Sequence, residues 1–198
     1  MFEPPKVQVP PRHSIFYVQI TAFWEEYSQR WFFIMDGIRF LWIVFCFLLS
    51  FWKGLPMAAL LTLWGDYFLL FTEHYSVGVS FFLLVQMAYL RHLQGRAFPW
   101  RALFFLPIGM VLPLLFLGIL YAVLFLFHFF LAWQKEKAQP SVSRKLYLLG
   151  LVLFICCDVT VAWGYFFTPV PWLIWLFYAP SQLLLSLTAK NYAQTVIT

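Results

Sequence analysis

Charge is what this chain has least of: Asp, Glu, Lys and Arg make up 11% of its 198 residues, against 63% hydrophobic residues and 23% aromatic ones. With a mean hydropathy of +0.80, such a chain cannot present a soluble surface, which excludes a water-soluble domain. Catalytic punctuation is missing too. There is no Gly-rich phosphate loop, no GxSxG elbow and no HExxH pair, so P-loop and Ser-triad chemistry drop out. Cys46, Cys156 and Cys157 lie in apolar runs without CxxC spacing, as small hydrophobes do, rather than as a disulfide or zinc set. His13, His74, His92 and His128 are scattered, and His128 sits alone on an apolar run, which points to packing rather than ligation. Zinc needs three or four converging ligands; neither a metal nor another cofactor is expected. The net charge of +5 falls between the apolar runs instead of forming a stripe, the pattern of cytoplasmic loops and not of a nucleic-acid partner.

What the chain does have is apolar length. Runs of about 20 residues predict spanning helices rather than barrel strands. Residues 1–30 read as a proline-rich lead-in, without the signature of a cleaved signal, followed by an interfacial amphipathic helix from Ile15. Residues 31–198 read as one transmembrane domain. Its expected spans are Trp31 to Trp52, Leu55 to Phe71, Tyr75 to about Leu90, Leu146 to Phe167, and Trp172 to Ala189. The apolar stretch from Trp100 to Trp133 is too long for one straight helix in a ~30 Å core, so two short spans should meet between Pro113 and Gly118. The prediction is an all-α polytopic membrane bundle of about seven transmembrane helices plus the amino-terminal amphipathic helix. Basic residues gather at Lys53, Arg91 to Arg101, Lys135 to Lys145 and Lys190, which puts those loops in the cytoplasm and the amino terminus outside. The cell membrane is the expected location.

Two acids stand inside spans, where an ionisable group needs a partner or a task. Asp66 lies 11 residues after Leu55 and Asp158 lies 12 after Leu146, in spans predicted to run the same way. At 1.5 Å per residue both sit roughly 17 Å deep. Two carboxyls at one depth can divide labour as acid and base. The lesser alternative is that they serve a proton or cation path, or bond Thr62, Thr160, Tyr89 or Tyr178 to lock helices together. Asp36 and Arg39, one turn apart, read as a local ion pair.

The segment Leu63-Trp64-Gly65-Asp66-Tyr67-Phe68, with Gly78 and Tyr89 on the next helix, resembles the Gly-Asp helix of the YhhN-like lysoplasmalogenase family. Gly150, Cys157-Asp158-Val159-Thr160-Val161-Ala162, Pro169-Val170-Pro171, Tyr178 and Gln182 are similar to that family's last two helices in order and spacing. The chain departs from the family in having Gln86 where a His is usual, Cys157 where a Ser is usual, and seven predicted spans instead of eight. The resemblance implies hydrolysis of the vinyl ether bond of a lysoplasmalogen, with Asp66 and Asp158 as the catalytic pair. Gln86, Tyr89, Tyr178 and Gln182 would orient water or substrate, and a basic rim, with Lys53 or Arg144, would hold the phosphate. The implied partner is a lysophospholipid within the bilayer. The competing reading is a non-catalytic lipid-binding protein or a small proton-coupled transporter.

Overall fold

The structure, a computed structural model, describes residues 34–53, 56–168 and 170–194. The lead-in and amphipathic helix expected over residues 1–30 lie outside them. Helices follow one another as α1 (Ile34–Trp52), α2 (Pro56–Phe71), α3 (Tyr75–Leu93), a 3-10 turn (Trp100–Phe105), α4 (Leu106–Val111), α5 (Leu114–Ala138), α6 (Val142–Phe166) and α7 (Pro171–Gln194). No strand occurs among the described residues. Four of the helices, α1, α3, α5 and α6, are long and apolar enough to cross a membrane. Compact units divide after Arg39. Of the first, residues 34–39 are described, and they hold the Asp36–Arg39 ion pair at 2.7 Å.

Local chemistry sets the helix ends. Pro56 and Pro171 open α2 and α7, where a missing N–H costs nothing. Ser141 caps α6 by accepting the Arg144 N–H at 3.2 Å, so α6 starts four residues before the expected Leu146. Gly95, at φ +66°, ends α3: the Arg96 N–H reaches the Arg91 carbonyl and the Gly95 N–H the His92 carbonyl, which is the Schellman closure that a left-handed residue permits.

The expected division of the 100–133 stretch falls at Pro113, the first residue of the predicted interval. Leu112 there is extended, at ψ 145°, because a residue before proline avoids the α region. The two pieces are unequal, which corrects the expectation of two short spans. The first is a 3-10 turn followed by a six-residue helix, whereas α5 runs for 25 residues.

Side-chain pairings give the direction of each element. On α3 and α5, Phe82 meets Tyr121, Gln86 meets His128, and the Leu93 carbonyl accepts from Lys135 Nζ. Both numbers rise together, so these helices are parallel. The 3-10 turn and α4 therefore carry the chain back along α3, where a Cβ on Gly109 would strike Ser80. Helices α2 and α3 are antiparallel, with Gly65 and Gly78 at their crossing. So are α5 and α6, through Tyr121 with Asp158 and Phe125 with Phe154, and α6 and α7, through Phe154 with Tyr178 and Gly150 with Leu185. Directions alternate along the chain, so α2 and α6 are parallel.

Polarity is distributed inside out. Trp52, Phe104, Val111, Leu115, Val123 and Trp163 face outward, whereas Ser50, Asp66, Gln86, His128, Ser181 and Gln182 are buried. Thr62, Ser80, Thr160 and Thr188 satisfy their hydroxyls on the carbonyl four residues back in their own helix, the local solution open to a hydroxyl in apolar surroundings.

Candidate functional site

Asp66 stands on the inner face of α2, 6% exposed, because Gly65 beside it allows α3 to approach: a Cβ at Gly65 would lie 2.9 Å from the Phe82 ring. Its Oδ2 accepts the Tyr178 hydroxyl of α7 at 2.5 Å. Tyr178 sits just ahead of Pro180, which lies inside α7; the Ser181 hydroxyl donates back to the Tyr178 carbonyl at 2.7 Å. On the other side, the half-buried Asp158 of α6 accepts the Tyr121 hydroxyl of α5 at 2.8 Å.

These two carboxyl–tyrosine pairs belong to one layer. Phe154 packs on Tyr178 at 5.6 Å and on Phe82 at 6.2 Å, and Phe82 packs on Tyr121 at 6.3 Å. The circuit from Asp66 through Tyr178, Phe154, Phe82 and Tyr121 to Asp158 thus closes across five helices. Cys157 is within electrostatic reach of both carboxyls. Each acid has its own tyrosine, and aromatic rings stand between them.

A second polar layer lies deeper. The seven residues from Tyr121 to His128 along α5 correspond to about 10 Å. His128, fully buried, meets Gln86 Oε1 through Nδ1 at 2.7 Å and the Tyr147 hydroxyl through Nε2 at 2.8 Å. Tyr89 stacks on its ring, with centroids 5.5 Å apart. An amide oxygen only accepts, so Nδ1 carries the proton and Nε2 accepts from Tyr147.

Gln182, on α7 one turn beyond Tyr178, borders a small cavity with Cys46, Ser50, Thr62, Tyr89 and Ser186. Its Nε2 is buried without a hydrogen-bond partner among the described residues.

The six residues singled out from sequence divide between the layers: Asp66, Asp158 and Tyr178 in the first, Gln86, Tyr89 and Gln182 in the second. Thr62 and Thr160, possible partners for the acids, turn to their own helices. Sequence reasoning missed Tyr121 and Tyr147 and gave His128 only a packing role. The available signal was spacing: Tyr121 and His128 lie seven residues apart, two turns along one face of α5. No group of three or more His, Cys, Asp or Glu side chains converges among the described residues. Of the predicted phosphate-holding rim, Arg144 lies 14 residues before Asp158 on α6, roughly 20 Å, and Lys53 follows α1, ahead of α2, in which Asp66 stands ten residues, about 15 Å, after Pro56. Arg144 is held by the Gln139 carbonyl and side chain. Neither reaches the carboxyl layer.

No known family, curated protein or solved structure matches this chain. The lysoplasmalogenase resemblance rests on the motifs quoted above.

Proposed function

We propose that this protein is an intramembrane hydrolase that cleaves the vinyl ether bond of a lysoplasmalogen, with Asp66 and Asp158 as its acid/base pair in a seven-span bundle. The observation that carries this reading is the shared layer: two carboxyls on parallel helices, each oriented by a tyrosine hydroxyl from a different helix. Vinyl ether hydrolysis needs one acid and one base. One aspartic acid gives its proton to the alkene carbon remote from the ether oxygen, and the π electrons form that C–H bond. The oxocarbenium ion left behind is captured by water, whose proton passes to the second carboxylate. The second carboxyl then gives that proton to the departing glycerol oxygen while the hemiacetal hydroxyl yields its own proton to the first, so the C–O bond breaks and a fatty aldehyde forms. Substrate and water are thereby converted to an aldehyde and a glycerophospho-base, with the two carboxyls returned to their starting protonation. One acid and one base acting in turn is the division of labour that glycosidases use.

The test is aldehyde release from a lysoplasmalogen by the purified protein, with Asp66→Asn and Asp158→Asn alongside. Each variant should lose about 10² to 10⁴ in rate while keeping its helical circular dichroism. A wild type that releases no aldehyde, or a variant with full turnover, defeats the reading.

One observation favours a second reading, a proton-coupled transporter. Polar side chains follow one another through the bundle, Asp158 bonded to Tyr121 and Gln86 bonded through His128 to Tyr147. An amide is a poor proton relay, so Gln86 interrupts that path. Proton-coupled flux in liposomes separates the two readings.

A further inference from the structure

At the turn between α2 and α3, on the end of the bundle far from Lys53 and Arg144, a groove of about 430 Å³ is lined by Phe68, Glu73, His74, Tyr75, Ser76, Val77 and Leu114. Its chemistry is distinctive. Glu73 is exposed and makes no ion pair among the described residues. Two aromatic rings, Phe68 and the exposed Tyr75, share the groove with it. A carboxylate beside aromatic faces suits an organic cation, whose charge is met by the carboxylate and by the ring quadrupoles while its methyl or methylene groups cover apolar surface. An anion would meet Glu73 as a like charge.

The groove also lies at a telling distance from the carboxyl layer. Leu114 precedes Tyr121 by seven residues on α5, about 10 Å, and Asp66 stands five residues, about 8 Å, before the end of α2 at Phe71, with Glu73 two residues further on in the turn. In an amine-bearing lysophospholipid, about nine bonds separate the ether oxygen from the headgroup nitrogen. Three chain bonds span at most ~3.6 Å, so nine reach roughly 10 Å. A lipid with its ether bond at the Asp66 and Asp158 layer thus brings its ammonium to Glu73.

We propose that this groove is a headgroup subsite that binds the ammonium of an amine-bearing lysophospholipid through Glu73, Phe68 and Tyr75. The proposal rests on the reading of this protein as a lysophospholipid hydrolase for its choice of lipid, and it concerns binding rather than cleavage.

Its test is native mass spectrometry of the full chain in detergent with two saturated alkyl-ether lysophospholipids, one with a choline headgroup and one with a glycerol headgroup. Neither can be cleaved by vinyl ether chemistry, so bound lipid is counted whether or not the protein is an enzyme. Wild type should prefer the choline lipid by about five- to tenfold, the scale of a partly desolvated cation on an aromatic face. Glu73→Gln and Tyr75→Leu should each bring the preference close to one. Glu73→Gln keeps size and polarity at an exposed position, so a folding defect does not obscure the result. Equal binding of the two lipids by wild type, binding of neither, or an unchanged preference in Glu73→Gln overturns the subsite. Headgroup preference in a protein that releases no aldehyde leaves the subsite standing and removes the hydrolase. Aldehyde release with no headgroup preference does the reverse.

Discussion

Single residues carry the functional argument, and tyrosines carry more of it than the sequence suggested. Tyr178 and Tyr121 each donate to one carboxyl, so each fixes the direction of one acid. Removing one such hydrogen bond costs about 1 kcal/mol, so Tyr178→Phe and Tyr121→Phe should each slow aldehyde release roughly fivefold to tenfold, far less than loss of either aspartate. A Tyr→Phe variant as inactive as Asp66→Asn would mean that the hydroxyl takes part in the chemistry itself. His128 is a different case. Its two ring nitrogens join α3 to α6 through Gln86 and Tyr147, so His128→Phe removes both links from a fully buried position. A loss of about 2–4 kcal/mol is expected, read as a lower melting temperature in detergent; an unchanged melting temperature would show that the network contributes little. The imidazole reaches Gln86 from α5.

At the level of elements, the helix hairpin α2–α3 depends on two missing side chains. A Cβ on Gly78 would lie 2.7 Å from Leu69 and one on Gly65 would meet Phe82. Gly78→Val should therefore force the helices apart and cost about 1–3 kcal/mol, as overpacking does, while Gly37→Ala, with nothing within 4 Å, should leave stability unchanged. Equal melting temperatures for the two variants would contradict this close approach. The same scale shows what the sequence could convey. Hydropathy located α2, α3, α6 and α7 to within a few residues, because apolar length is a local property. A break between Pro113 and Gly118 was legible from the excess length of the apolar stretch, but the short 3-10 segment was not, since a uniformly apolar stretch carries no mark of where the chain turns back. The parallel course of α2 and α6 followed from counting spans. Which tyrosine serves which aspartate depends on helix rotation, and Phe, Tyr and Leu repeat too evenly around these helices to reveal it.

Alternating directions place the loops after α3 and α5 at one end and those after α2, α4 and α6 at the other. In a bilayer, single cysteines at Gln94→Cys and Gln139→Cys should react from the same side, the cytoplasmic one by charge, and Thr168→Cys from the opposite side. Labelling of Gln94→Cys and Gln139→Cys from opposite sides would contradict the return path through α4. That return path is short. Six 3-10 residues and six α-helical ones give about 21 Å of helix, beside neighbours of 19 and 25 residues and against a hydrocarbon core of about 30 Å. Its outer face, with Trp100, Phe104, Ile108 and Val111 exposed, is apolar all the same. A membrane that matches that face by thinning locally draws the phosphate plane and its water inward on one flank only. The protein would then dimple its own solvent, and a single-chain lipid, which takes little area in the hydrocarbon for its headgroup, is the kind that collects in a dimple.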